Sequence, residues 1–207
     1  SIPMEQLYKV ALGVDLTGKI GRFIRRVPNA LGVGVNTAAG TPSLGILKQI
    51  TSAKASDTGP RWSRDGKAIA FISNRGGSSQ IWTIDVAGGE ARQRTTFPVD
   101  VDNAQWSPDG TRFAFSAEVY HDCPDLKCTA ERDKEAEENP VKARLYTRLL
   151  FRHWDAWEDG KRSHVFVWKI DGGVPVDLMK GVDADSPTKP FGGAEEFAWS
   201  ADGKQVA

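Results

Sequence analysis

The chain has 207 residues, 40% of them hydrophobic and 26% charged, an ordinary globular composition with enough length to bury a core. Lys plus Arg and Asp plus Glu both number 27, so the formal charge is zero, and without a basic half or stripe nucleic acid is excluded as an expected partner. No apolar run reaches the roughly 18 residues of a membrane span, and the first thirty residues lack the charged, apolar, small-residue order of a signal peptide.

Residues 1–45 come first and fit no pattern seen later. They contain apolar stretches and glycines but no Trp-Ser-x-Asp-Gly, which marks every later unit. A degenerate copy of that unit, an adapted terminal segment and a stretch disturbed by a reading-frame error all stay open.

From residue 46 onward a repeat takes over. RWSRDGKAIAFISNRGGSSQIWTIDVAGGE starts at Arg61, and QWSPDGTRFAFSAEVY starts at Gln105 with the same order of features; Trp62 and Trp106 are 44 positions apart. The same offset separates Gln49-Ile50-Thr51 from Gln93-Arg94-Thr95, the last strands of two successive units. A third copy, AWSADGKQVA, begins at Ala198.

Each unit reads as a four-stranded meander. Trp62 closes the first strand, Arg64-Asp65-Gly66 turns the chain, and Ala68 to Ile72 is an apolar run suited to a strand covered on both faces. Asn74 to Ser79 turns again, Ile81 to Val86 is the third strand, Gly88-Gly89 turns it, and Ala91 to Thr96 is a polar outer strand. One such sheet cannot bury both faces, so units must stack radially, as β-propeller blades do. The predicted fold is all-β: a partial β-propeller of four-stranded antiparallel blades, with a partly helical insertion.

The insertion is located by arithmetic. Trp106 and Trp199 are 93 positions apart, one period plus an excess of 49. The second strand of the second unit ends near Tyr120, and HVFVWKIDGG from His164 matches QIWTIDVAGG from Gln80, so residues 121–163 are an insertion between strands two and three. A few more residues around Val182 to Gly193 lengthen the next connection.

The repeat resembles that of TolB-type proteins and of the propeller domain in the prolyl oligopeptidase family. CPDLKC, the acidic stretch after it and RLYTRLLFRHWDAWEDGKRSHVFVW narrow the resemblance to bacterial dipeptidyl-peptidase V and acylaminoacyl-peptidase-like enzymes, over roughly Leu47 to Ala207. In that family the propeller caps a C-terminal α/β-hydrolase domain with a Ser, Asp, His triad, and the enzymes release dipeptides from peptide N-termini. The resemblance therefore implies a substrate-gating propeller of a periplasmic or secreted serine exopeptidase. Its partners would be a peptide substrate and the hydrolase domain of the parent chain; a homodimer stays open, and no cofactor is expected. A TolB-like protein-binding module without catalysis is the alternative, and a truncated fragment without function in isolation is a third reading.

No catalytic residue is assigned to this chain. A nucleophile elbow needs Gly-x-Ser-x-Gly, and the nearest match, Gly76-Gly77-Ser78-Ser79-Gln80, lacks the last glycine and falls in a hairpin turn. A ring of six to eight units of this period needs roughly 270 to 400 residues, so the chain reads as a piece of a longer protein.

Four groups of residues are candidates for other roles. Cys123 and Cys128 are close enough to form a disulfide in an oxidising compartment; a zinc site with His121 and two unpaired thiols are the alternatives. Glu131 to Glu138 has helix-forming residues with charges all round, the mark of a solvated helix that Asn139-Pro140 should end. Arg152 and Trp154, with His153, Asp155 and Trp157, form either a substrate-facing wall or packing of the insertion on its blade. Glu195 and Glu196 either hold the protonated amine of a peptide or form an exposed acidic turn. Trp62, Trp82, Trp106 and Trp199 recur at repeat positions and are assigned to packing, and the three Asp-Gly pairs are assigned to turns.

Overall fold

The computed structural model describes residues 51–147, 149, 151–153 and 156–207, and within the first fifty residues the strands β1 (Ile24–Arg26) and β2 (Leu47–Gln49), which pair antiparallel. The reading of residues 1–45 otherwise lies outside the described residues. The chain divides into two compact units, residues 1–94 and 95–207.

In the first unit, β3 (Asp57–Trp62), β4 (Ala68–Ser73), β5 (Gln80–Asp85) and β6 (Arg92–Gln93) form a four-stranded antiparallel meander in chain order. Successive side chains of a strand point to opposite faces, and Ile69 to Ser73 of β4 are all buried, so both faces of this strand are covered. Ile69, Phe71, Ile84 and Val86 form a core cluster against which Trp82 packs. The fourth strand is shorter than the expected Ala91 to Thr96: only Arg92 and Gln93 pair with β5, because Gly88 and Gly89 turn the chain at positive φ and the residues beyond Arg94 leave the sheet.

Asp57, on the edge strand, is buried and accepts two hydrogen bonds of 2.7 Å from Arg75 in the β4–β5 turn. The Arg75 guanidinium lies 5.1 Å from the Phe71 and Trp82 ring centres. Trp82 thus meets both the core cluster and a cation that it shares with Phe71.

The second unit repeats the plan with β7 (Val101–Trp106), β8 (Arg112–Val119), β11 (Arg162–Lys169) and β12 (Val176–Asp177), in the order β12-β11-β8-β7. Between them lie helix α1 (Leu126–Glu138) and the two-residue strands β9 (Arg152–His153) and β10 (Ala156–Trp157). β8 and β11 pair over eight residues, from Arg162↔Val119 to Lys169↔Arg112, so the long connection leaves the sheet intact. The start of the third copy packs on this sheet: Phe197, Trp199 and Val206 lie against Ala114, Val165 and Val167, and Trp199 bridges to Val206. The fold is the all-β partial propeller, with four-stranded antiparallel blades and a partly helical connection.

One hydrogen-bonded clasp explains the Trp-Ser-x-Asp-Gly repeat, and it occurs three times. Ser107 Oγ donates to Asp109 (2.5 Å) and accepts from the Arg112 amide (2.9 Å); Asp109 also accepts from the Thr111 amide (3.0 Å). Ser63, Asp65, Lys67 and Ala68 make the same set, as do Ser200, Asp202, Lys204 and Gln205. The glycine of each turn, Gly66, Gly110 or Gly203, has φ between 67° and 71°, a left-handed conformation that glycine adopts without steric cost.

A second device recurs at the same interval. The edge strands β3 and β7 each carry a bulge, between Thr58 and Arg61 and between Asp102 and Gln105. Gly59 (φ 57°) and Asn103 (φ 56°), 44 residues apart, supply the left-handed residue. The equivalent position before Trp199 is Glu196.

Helix α1 begins five residues earlier than the charged stretch suggests. Asp125 accepts from the Cys128 amide (2.9 Å) as its N-cap, and the Cys123–Cys128 disulfide, with Cα atoms 5.6 Å apart, closes the loop that presents this cap. Asn139 is the C-cap, where the Asn-Pro pair was expected to end the helix. The two sulfurs are bonded to one another, which overturns the zinc alternative with His121.

His164 ties the outer strand to the sheet. It is fully buried on β11, with Nδ1 2.9 Å from Asp177 and Nε2 3.0 Å from the Val182 carbonyl, so both ring nitrogens face acceptors. Burial opposes the charged ring, but the bond and charge of Asp177 and the Val182 carbonyl outweigh it and raise its pKa.

Three outcomes are expected. Ser107→Ala leaves the half-buried Arg112 amide without its acceptor and should cost about 1–3 kcal/mol in urea unfolding, whereas Ser107→Thr, which keeps the hydroxyl, should cost less. Stability should fall on both sides of a plateau. The clasp hydrogen bonds hold Asp65, Asp109 and Asp202 below the ordinary aspartate range, so their contribution is complete above pH ~4 and is lost as pH drops through the lowered folded values. His164, raised above ~6.5, contributes fully below that pH and loses its contribution as pH rises through its folded value; in His164→Gln the alkaline slope should flatten. Finally, reduction should add the mass of two hydrogens and lower stability by about 2 kcal/mol for so short a loop, with loss of helical circular dichroism from α1.

Candidate functional site

The sequence candidates fall at two places in the second unit. The first is the β9–β10 hairpin. Arg152 pairs with Trp157 across it, and its guanidinium lies 5.2 Å from the Trp157 ring centre. Trp157 stacks on Phe151 (6.1 Å) and Tyr146 (6.0 Å), and those two rings are 5.7 Å apart. Arg152 therefore sits at the end of a three-ring cluster, with its cation over a π-face. Trp154 lies outside the described residues.

Phe151 and Trp157 are exposed, and Leu145 and Leu149 on the approach to the hairpin are 90% and 87% exposed. An aromatic surface next to a cation suits a peptide: the rings take apolar side chains, and Arg supplies paired donors for a carbonyl or carboxylate. Tyr146 and Phe151 escaped the sequence reading, because residues five and six apart match neither a helix face nor one side of a strand. Only the hairpin brings them together.

The hairpin's base is fixed by charge. Arg162, at the start of β11, donates to Asp183 (2.7 Å) and Glu158 (3.1 Å), and Asp185 accepts from the Ser163 amide (2.8 Å). Lys161 lies 3.2 Å from Asp133 of α1 and 3.4 Å from Asp159, so the helix and the hairpin meet on one ammonium.

The second place is the single 3-10 turn Ala194–Glu196 beside β7. Gln105 of β7 donates through one amide nitrogen to the carbonyls of Phe197 (2.9 Å) and Ala194, which clamps the turn to the edge strand. The structure divides the glutamate pair. Glu196 accepts from the Thr188 amide and hydroxyl, both at 2.6 Å, and these bonds lower its pKa. Glu195 is exposed, and its carboxylate has no hydrogen-bond partner among the described residues. Of the two, Glu195 has the carboxylate left to meet an ammonium group.

Comparison with known proteins agrees with this architecture. A family model described as the TolB beta propeller domain matches residues 43–130. Over 165 residues, 77% of this chain, the sequence is 33% identical to dipeptidyl-peptidase 5 of Porphyromonas gingivalis. Over 61 residues, 29% of this chain, it is 46% identical to the uncharacterized peptidase YuxL of Bacillus subtilis. The chain spans 23% of the length of the first and 9% of the second. Among solved structures, TolB from Acinetobacter baumannii has a TM-score of 0.47 at 18% identity, covering 90% of this chain and 34% of that one. The family-model match, with the 44-residue clasp repeat and the four-stranded sheets, assigns residues 43–130 to a TolB-type β-propeller domain, and the chain is similar in sequence to part of dipeptidyl-peptidase 5.

Proposed function

We propose that this chain is the substrate-gating propeller portion of a serine exopeptidase of dipeptidyl-peptidase type, acting on oligopeptides, with the catalytic hydrolase domain outside the sequence given. The observation that carries this reading is the 33% identity to dipeptidyl-peptidase 5 over 165 residues, a stretch too long for one blade alone to account for. The candidate residues fit the task. Propeller blades surround a channel that admits peptides and excludes folded proteins, and a few polar groups near it can orient the N-terminus. Glu195 would meet the protonated amine, while Arg152 with Phe151 and Trp157 would hold the peptide body; chemistry would belong to the absent domain. The Cys123–Cys128 disulfide supports a periplasmic or secreted location, since such bonds persist in oxidising compartments. No helix among the described residues is long and apolar enough to cross a membrane.

The second reading is a TolB-like module that binds a protein partner without catalysis, favoured by the family model over residues 43–130. One experiment separates the two. The protein encoded by the whole parent gene, assayed with dipeptidyl chromogenic substrates, should show turnover that the 207-residue chain alone lacks. Glu195→Gln and Arg152→Ala in that protein should each lower kcat/KM about tenfold or more, the worth of a charge-assisted contact of roughly 1.5–3 kcal/mol. A parent without a Gly-x-Ser-x-Gly elbow and without turnover would leave the binding module as the reading.

A further inference from the structure

The loop from Thr188 to Gly193 leads into the 3-10 turn, and hydrogen bonds within it set its shape. The Gly192 amide donates to the Thr188 carbonyl (2.6 Å), and the Thr188 amide and hydroxyl both donate to Glu196. A Cβ on Gly192 would stand 2.5 Å from the Thr188 backbone nitrogen and oxygen, so only glycine fits there. The loop is also tied to its surroundings. Lys189 lies 3.1 Å from Glu118 of β8 and donates to the Lys161 carbonyl (3.3 Å) at the base of the hairpin, while Gln105 clamps the far end at Ala194 and Phe197.

Phe191 stands on this loop with 76% of its surface exposed. A ring held out by a loop with so many ties needs little further ordering when a ligand arrives. The Glu195 carboxylate lies over the same loop: its oxygens come within 2.7 and 3.2 Å of where a Cβ on Gly193 would stand. Gly193 is two residues from Phe191, and consecutive Cα atoms are about 3.8 Å apart, so the ring and the carboxylate are anchored within about 7 Å of each other. The amine and the side chain of a peptide's first residue leave from one Cα. A first residue whose ammonium meets Glu195 therefore has its side chain within reach of the Phe191 ring.

We propose that Phe191 is a specificity-determining residue that reads the first side chain of the peptide and favours large apolar ones; the inference rests on the peptidase reading for the task of Glu195. The charges decide the class of side chain. Glu196 is bonded to Thr188 and Glu195 meets the amine, so no carboxylate remains for a cationic side chain, and the pair repels an acidic one. Glycine offers the ring nothing to cover. An apolar side chain removes its own surface and that of Phe191 from water.

Free dipeptides, which have no bond left for a dipeptidyl-peptidase to cut, test this by isothermal titration of the protein encoded by the whole parent gene, beside kcat/KM for the matching chromogenic substrates. Leu-Ala should bind about fivefold or more tightly than Gly-Ala, Lys-Ala or Asp-Ala, and the chromogenic series should keep that order. Phe191→Ala should bring the Leu-to-Gly ratio below about twofold, and Phe191→Leu should restore most of it. Glu195→Gln should weaken Leu-Ala and Gly-Ala by the same factor and so preserve the ratio. Because Phe191 is exposed, the thermal midpoint of Phe191→Ala should match that of the parent protein. A ratio that survives Phe191→Ala, a uniform loss across all dipeptides, or a preference for Lys-Ala overturns the proposal, and turnover in the same protein then leaves the peptidase reading standing. Leu-Ala selectivity that is lost in Phe191→Ala, in a parent protein without turnover, supports the role of Phe191 and overturns the peptidase reading alone. Neither selective binding nor turnover overturns both.

Discussion

The structure depends first on a polar turn rather than on its core. In Ser-x-Asp-Gly the aspartate gathers the serine hydroxyl and a backbone amide, the serine accepts the amide that opens the next strand, and the glycine takes the positive φ that closes the loop. This fixes the register of the first two strands of a blade. Because side chains alternate with a period of two, a slip of one residue would move Phe113 and Phe115 to the wrong face. The apolar run is therefore specified twice, by its own pattern and by the clasp.

The clasp also takes part in stacking. Arg112, whose amide completes the second clasp, lies 5.0 Å from the Trp199 ring and donates to the Gly203 carbonyl (2.7 Å) within the third. A side chain placed at Gly203 would approach Pro108 to 3.3 Å. Turn, tryptophan and neighbouring blade are thus coupled through one arginine. In the first unit the corresponding position is Ala68, which carries no cation; the arginine over a tryptophan there is Arg75, on Trp82 of the third strand, a different position of the repeat.

What the sequence made legible follows from this. Tryptophans, Asp-Gly turns and buried runs lie within one blade, where local spacing is the structural signal; the 44-residue offset links the first two copies, and the third follows once the 49-residue excess is subtracted. The bulges at Gly59 and Asn103 share that offset but have different residue types, so only backbone angles reveal them as one device. The start of α1 at Leu126 was hidden because its cap, Asp125, sits inside the disulfide loop. At the candidate site, Arg152 and Glu195 stood out by chemistry, but nothing local distinguishes Glu195 from Glu196. Their separation comes from Thr188, eight residues before Glu196 and on the far side of a turn.

The same division explains where function can reside. β8 and β11 pair without interruption across a connection of more than forty residues, and the entropy of closing a loop grows only slowly with its length. Residues can be added there at little cost to the sheet, provided their ends are held, and Arg162 with Glu158, Asp183 and Asp185 holds them at the base of β11. Side chains on such a connection need not fill the core, so they can leave aromatic rings and cations exposed to ligands. The blade positions have no such freedom. Trp106, 4.3 Å from Phe113, and Trp199 against Val165 are occupied by packing, which leaves the candidates for peptide recognition on the connection and at the 3-10 turn.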